Sequence, residues 1–154
     1  MHNCVAKLLL LLSLIGAQAA MAERVELPNG DVYEGELVDG QREGRGVYRW
    51  ADGNQYEGDF ANDRLHGQGV YAWADGRTYT GQFVAGRREG EGVMTWSNGD
   101  RYSGYFRNNQ MHGQGEFVWA NGDVYNGDFA NGKRTGRGTF TWHTGEQYLS
   151  LIHI

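Results

Sequence analysis

Apolar and polar residues alternate along most of this chain with a period of two. In Asp31-Val32-Tyr33-Glu34-Gly35-Glu36-Leu37, Tyr33, Gly35 and Leu37 fall on one side and Val32, Glu34 and Glu36 on the other. That is the pattern of a half-buried strand. In Gly44-Arg45-Gly46-Val47-Tyr48-Arg49-Trp50 the same count puts Gly44, Gly46, Tyr48 and Trp50 together, opposite Arg45, Val47 and Arg49. Two strands of about seven residues each are therefore expected, the usual length for sheet strands. Helix is a poor competitor, because each interior glycine costs about 1 kcal/mol against alanine.

This strand pair recurs every 23 residues without insertion. The leading tyrosine stands at Tyr33, Tyr56, Tyr79, Tyr102, Tyr125 and Tyr148, and the closing tryptophan at Trp50, Trp73, Trp96, Trp119 and Trp142. The Gly-x-Gly pairs begin at Gly44, Gly67, Gly90, Gly113 and Gly136. So strict a register marks a tandem array and not a single globular core. After each tryptophan, Asp52-Gly53, Asp75-Gly76, Asn98-Gly99 and Asn121-Gly122 predict tight hairpin turns, since glycine takes positive φ without a Cβ clash. The other connection, Val38 to Glu43 in the first unit, reads as a longer polar loop and the variable edge of the array. Glycine inside a strand normally weakens it. Its placement on the aromatic side has a spatial reason: Gly35, Gly44 and Gly46 leave room for rings, so that rings of each hairpin lie over the bare backbone of the next. At about 25 cal/mol per Å², that burial supplies several kcal/mol per unit before entropy is subtracted.

The string Tyr-x-Gly-x-Phe, a spacer, Gly-x-Gly-x-aromatic-x-Trp and then Asn/Asp-Gly resembles the MORN repeat, the membrane occupation and recognition nexus motif. The resemblance covers residues 33 to 148 as five full units plus the start of a sixth. It implies an all-β fold: an elongated, single-layer, twisted antiparallel sheet of tandem 23-residue hairpins, curled into a shallow groove. It also implies a membrane-proximal tether, an assembly scaffold or a protein-binding module, sometimes dimeric, with phosphoinositide binding proposed for some members. Catalysis in the family belongs to separate attached domains.

The two ends differ from the array. Residues 1–22 read as a secretory signal: Lys7, then an apolar run from Leu8 to Ile15, then the small-x-small sites Ala17-Gln18-Ala19 and Ala20-Met21-Ala22. Cleavage is expected after Ala22, with Ala19 the alternative. The run is short of the about 20 residues a spanning helix needs. Residues 23–32 read as a capping half-unit, with Val25 and Leu27 where Tyr48 and Trp50 fall one period later. At the far end, Leu149-Ser150-Leu151-Ile152-His153-Ile154 lacks the glycine due at 150. The hexapeptide is the translation of CTG TCT CTT ATA CAC ATC, a transposon-end adapter, so 149–154 is read as a non-native tail. The alternative is a genuine apolar strand closing the sheet.

Composition narrows the function. The formal charge of −5 becomes −6 once Lys7 is removed. That argues against a nucleic-acid binder, which needs a basic excess, and against simple capture by an anionic lipid surface. Cys4, the sole cysteine, goes with the leader, so no disulfide staples the mature chain. His66 and His112 share a slot before Gly67 and Gly113, but four strand spacings of about 4.8 Å put them roughly 19 Å apart, too far for one ion. No serine, phosphate loop or acid pair has a catalytic context. No enzyme activity, cofactor or metal is expected.

Two features remain as candidate binding elements. One is the tryptophan row, Trp50, Trp73, Trp96, Trp119 and Trp142, either packing or a partly exposed platform. The other is a basic stripe along one edge from the long connections: Arg42, Arg64, Arg87, Arg88, Lys133 and Arg134. The reading is an exported, bacterial-type, non-catalytic repeat scaffold, periplasmic or extracellular, that binds a protein partner. Homodimerisation through open sheet edges is a secondary expectation. The alternatives are a lipid-headgroup or cell-wall glycan module, or the N-terminal binding region of a longer enzyme.

Overall fold

The computed structural model describes residues 22–152; all of the expected leader but Ala22, including the alternative cleavage site at Ala19, and the last two residues of the tail lie outside the described residues. Twelve strands follow in chain order: β1 (Glu23–Glu26), β2 (Val32–Val38), β3 (Gln41–Arg49), β4 (Gln55–Ala61), β5 (Arg64–Ala72), β6 (Thr78–Val84), β7 (Arg87–Thr95), β8 (Arg101–Arg107), β9 (Gln110–Val118), β10 (Val124–Ala130), β11 (Lys133–Thr141) and β12 (Gln147–Ile152). Each pairs antiparallel with the next, in one open sheet whose spatial order is the sequence order. The all-β strand pairs are as the alternation implied, and the single-layer ladder of hairpins is as the resemblance implied.

The two turn types are the reverse of the sequence expectation. The connection expected to be long is a two-residue turn, Asp39-Gly40, with φ of 50° and 78°. Both central residues are left-handed, the condition for the type I′ turn whose twist matches that of paired strands. Hence β3 starts at Gln41 and has nine residues, not seven. The turn after each tryptophan is wider: Trp50 N–H bonds Asn54 O at 3.0 Å, and Gly53 N–H bonds Trp50 O at 3.0 Å.

Within each hairpin the register slips once, immediately after the strand glycine. Gly58 pairs with Gly69, but the next pair is Asp59 with His66, leaving Gly67 and Gln68 unopposed. Gly67 sits at φ +56° there, so the first glycine of each Gly-x-Gly pair serves the bulge. This corrects the expectation for Gly44, whose bare side faces the Glu36 carboxylate and not a ring. Gly35 and Gly46 do make room for a ring, but it is Tyr33 of the same hairpin and not of a neighbour.

The five repeat tyrosines Tyr33, Tyr56, Tyr79, Tyr102 and Tyr125 are the most deeply buried large side chains. Each folds back along its own strand onto the glycine pair, and its hydroxyl donates to the carbonyl three residues on. Tyr56 Oη to Asp59 O is 2.8 Å and Tyr79 Oη to Gln82 O is 2.9 Å. Those carbonyls belong to the residue at which the register slips. The phenol thus satisfies a backbone group beside the bulge while its ring covers bare backbone.

A Cβ at Gly92 would stand 2.5 Å from Tyr79 Oη, and one at Gly58 would stand 2.5 Å from Gly69 Cα and the Gln68 carbonyl. Gly92→Ala and Gly58→Ala are each expected to destabilise the sheet by about 1 to 3 kcal/mol or more, the cost of overpacking a filled site. Gly58→Ala is the worse because backbone cannot step aside; urea titration followed by circular dichroism measures both.

Burial pushes the Tyr79 and Tyr102 phenols up to about 12. A folded-state value above the unfolded one gives stability that is complete below about pH 10, the ordinary phenol value, and lost as pH rises toward 12. The urea midpoint is expected to fall across that window. Phenolate absorbance from these rings is expected to rise together with loss of the sheet signal and not ahead of it.

Candidate functional site

Folding the tyrosines down leaves one sheet face built of rings in two tiers. The buried tier is a zigzag of edge-to-face contacts that crosses every hairpin boundary. Tyr33 meets Phe60 at 5.3 Å, Phe60 meets Tyr56 at 5.2 Å, Tyr56 meets Phe83 at 5.1 Å, and Phe83 meets Tyr79 at 5.1 Å. The pattern continues through Phe106 and Tyr102 to Phe129 and Tyr125. Each such pair adds about 0.5 to 1.5 kcal/mol beyond its buried area.

The second tier lies beside the first and, apart from the buried Tyr48, is partly exposed. Tyr48, Trp50, Tyr71 and Trp73 form one tilted run, with centroids 4.6, 5.1 and 4.5 Å apart. Trp96, Phe117, Trp119, Phe140 and Trp142 form another, with spacings of 5.3, 4.6, 5.2 and 4.9 Å. Between the runs the ring is replaced by Met94, which is buried. Trp50, Trp73, Trp96 and Trp119 pack on the buried tier from one side, while Trp142 is 38% exposed. The tryptophan row is thus both packing and open surface.

The basic stripe divides between the two faces, because neighbouring residues of a strand point opposite ways. Arg64, Arg87 and Lys133 are exposed at the first positions of β5, β7 and β11. Arg42, Arg88 and Arg134 instead lie over the rings. Arg42 Cζ is 4.7 Å from the Tyr48 centroid, Arg88 Cζ is 5.5 Å from Trp73 and 5.6 Å from Phe106, and Arg134 Cζ is 5.3 Å from Trp119. A further cation, Arg77, lies 5.0 Å from the Trp73 centroid and was not singled out in the sequence.

These arginines follow a two-repeat alternation. The slot holds Arg42, Leu65, Arg88, Met111 and Arg134 in turn, and the next residue is Glu43, His66, Glu89, His112 and Thr135. Arg42 and Arg88 reach to the turn of the following repeat: Arg42 Nη2 donates to Asp63 O at 2.7 Å, and Arg88 Nη2 to Asn109 O at 2.7 Å. Beside them Glu43 accepts the Asn62 N–H at 2.7 Å and Glu89 the Asn108 N–H at 2.9 Å. His66 Nδ1 stands 3.5 Å from the Ala85 N–H at the equivalent place. The alternation is visible in the sequence once every second repeat is aligned.

At the opposite ends of the strands the wider turns are latched to one another. Asp31 Oδ1 accepts the Ala51 N–H at 2.8 Å, and Asn54, Asp100 and Asp123 accept from Ala74, Ala120 and His143 at 2.9 Å each. Asp31 also accepts the Tyr48 hydroxyl at 2.6 Å, which holds its carboxyl below the usual carboxylate range. The other sheet face is polar, with a shallow groove of about 510 Å³ whose walls include Gln68, Thr80, Gln82, Glu91, Ser103 and Gln114.

A protein-family model described as MORN repeat matches residues 33–55, 56–76, 79–101, 102–124 and 125–147. No curated protein matches the chain. Among solved structures, the fold is similar to the TCP domain of Drosophila melanogaster SAS-4 (dCPAP), solved in complex with a proline-rich motif of Ana2 (dSTIL). That match has 14% identity, a TM-score of 0.54, and covers 93% of this chain and 86% of that one. The TCP10 domain of Danio rerio CPAP, in complex with a STIL peptide, matches at 14% identity and a TM-score of 0.33, covering 86% of this chain and 64% of that one. Similarity at this identity concerns fold alone. Five successive repeat matches over most of the sequence, each falling on one hairpin of the ladder, place this chain in the MORN-repeat family.

Proposed function

We propose that this chain is an exported, bacterial-type scaffold without catalytic activity, which holds an extended segment of a protein partner along its ring face. The observation that carries this reading is the second tier, two runs of four and five rings, all but Tyr48 partly exposed and supported from beneath by a buried tier. Rigid aromatic surface with a polar border binds extended chains at low entropic cost, because the rings are already fixed before the partner arrives. The SAS-4 domain of similar fold, in complex with a proline-rich motif, supports a peptide as the partner. A polyproline segment carries little conformational entropy and stacks its pyrrolidine rings on aromatic side chains.

Export rests on the leader pattern of residues 1–22. Removal after Ala22 would leave Glu23, the first residue of β1, as the mature N-terminus. In the periplasm or outside the cell, the absence of cysteine from the rest of the sequence leaves the ring tiers, and not disulfides, to carry the stability of the array.

Panning a random-peptide display library on the full chain tests the binding face. Trp119→Ala is expected to weaken the selected peptides by about tenfold to a hundredfold, as loss of an aromatic anchor does, with the sheet spectrum kept. Peptides insensitive to Trp119→Ala and Trp50→Ala would sink the reading. For export, mass spectrometry of the secreted or periplasmic protein is expected to give an N-terminus at Glu23; an intact Met1 in the cytoplasm would contradict it.

A further inference from the structure

Three departures from the repeat coincide around Trp73, near the middle of the array. The second tier of rings is interrupted by Met94, whose equivalents are Tyr48, Tyr71, Phe117 and Phe140. The latch position filled elsewhere by Asp31, Asn54, Asp100 and Asp123 holds Arg77, so among the described residues the Ser97 N–H has no acceptor corresponding to those that serve Ala51, Ala74, Ala120 and His143. Arg88 also lacks the counter-charge that its equivalent has. Arg42 Nε meets the Asp63 carboxylate at 2.5 Å, whereas the turn facing Arg88 presents the neutral Asn109.

The result is a local excess of donors on an aromatic floor. Arg88 is half-buried, its guanidinium set against Trp73, Tyr79 and Phe106, with Nη1 3.6 Å from Met94 Sδ. Among the described residues it takes part in no ion pair. A cation drawn out of water without a counter-charge is costly, and burial lowers the Arg88 guanidinium from its ordinary value. Arg77 stands over the same Trp73 ring but is already shared with Asp75 at 2.8 Å. The uncompensated charge at this spot is therefore a single one.

Resting on the reading of the ring face as a peptide-binding surface, we propose that Arg88, set over the Trp73 ring, takes the carboxylate of an aspartate or glutamate side chain in the extended partner. A single guanidinium without a counter-charge suits a monoanionic, planar carboxylate, which the Nη hydrogens not engaged by Asn109 and Met94 can grip. Asp75 beside Arg77 works against a doubly charged phosphate or a dense anionic surface. Where the ring row is broken the partner turns from apolar contact to a charged one, which fixes its register on a surface that otherwise repeats every 23 residues.

Peptides selected from a random display library on the full chain, resynthesised singly, carry the test. They are expected to share one Asp or Glu at a fixed distance from their apolar anchors. Changing that acid to Asn or Gln, or the protein by Arg88→Gln, is expected to weaken binding about tenfold or more, as loss of a charged hydrogen bond does. Both changes together are expected to cost no more than either alone. Arg88→Lys is expected to restore part of the affinity, Arg101→Gln on the exposed surface to leave it unchanged, and circular dichroism checks that each variant keeps its sheet. Peptides that need Trp119 yet show no acid preference and bind Arg88→Gln at full strength would overturn this inference while sparing the ring-face reading. Peptides indifferent to Trp119, or a library that yields none, would overturn both. Phosphatidylglycerol vesicles that bind the wild type but not Arg88→Gln would give the spot to a headgroup, and likewise overturn the carboxylate.

Discussion

The tyrosine laid across the glycine pair of its own hairpin is the interaction on which the rest depends. A single-layer sheet has no opposing layer to bury against, so the chain supplies one by folding a ring down onto backbone that carries no Cβ. Each fully buried tyrosine contributes about 1.5 to 3 kcal/mol, against roughly 0.5 to 1 kcal/mol for each of the two strand glycines beneath it. The hydroxyl completes the arrangement by donating to the carbonyl of the residue where the ladder slips. Ring, glycine and bulge are therefore one device: remove the glycine and the ring has no seat, remove the phenol and a carbonyl beside the bulge loses its donor.

Because the device is confined to one hairpin, a separate contact must join hairpins into an array. That contact is the edge-to-face step from each tyrosine to the phenylalanine of the next repeat, as from Tyr33 to Phe60 and from Tyr56 to Phe83. Backbone bonds from a tight turn to the strand that follows the preceding turn, such as Gly86 N–H to Leu65 O at 2.8 Å, add a second connection at the sheet margin. Stability in such an array is a sum of unit and nearest-neighbour terms. A residue required by those terms recurs in every repeat, and the positions that do not recur are under other constraints. Arg42 and Leu65 illustrate the difference: both cover ring surface with aliphatic stem, so packing accepts either, but only one brings charge.

Much of this was legible in the sequence, and what was not has a physical cause. Period, strand alternation and the pairing of glycine with ring follow from residue type alone, since no other residue than glycine fits under a buried tyrosine at Gly46 or Gly69. The turn types are not legible because Asp52-Gly53 carries the stronger local signal, whereas turn type depends on where the strands begin to pair. Asp39-Gly40 has the two left-handed residues of the tight turn, and Ala85-Gly86 and Asn108-Asn109 take the same form with different residues. Once β3 is known to begin at Gln41, strand parity places Arg42 on the ring face and Gln41 on the other. The same parity separates Arg88 from Arg87 and Arg134 from Lys133, which proximity in sequence had grouped. The direction of each tyrosine, toward its own glycine or toward a neighbour's, is set by side-chain rotamer, about which periodicity is silent.

The corrected turns also decide where individuality can reside in such a protein. A two-residue turn with both residues left-handed tolerates few side chains and no insertion without loss of register. The wider turns are tethered too, all but the Trp73 turn latched to the next by a contact such as Asp100 to Ala120. Neither end of the ladder therefore behaves as a free loop on which recognition could vary, as the sequence had suggested for Val38 to Glu43. What remains is the face, where the slot of Arg42, Leu65, Arg88, Met111 and Arg134 and the slot of Tyr48, Tyr71, Met94, Phe117 and Phe140 change while the tyrosines beneath them do not. A surface carried on an invariant floor can alter its charge and shape one repeat at a time without disturbing the fold, and that separation lets a one-layer sheet of identical hairpins present a particular sequence of contacts.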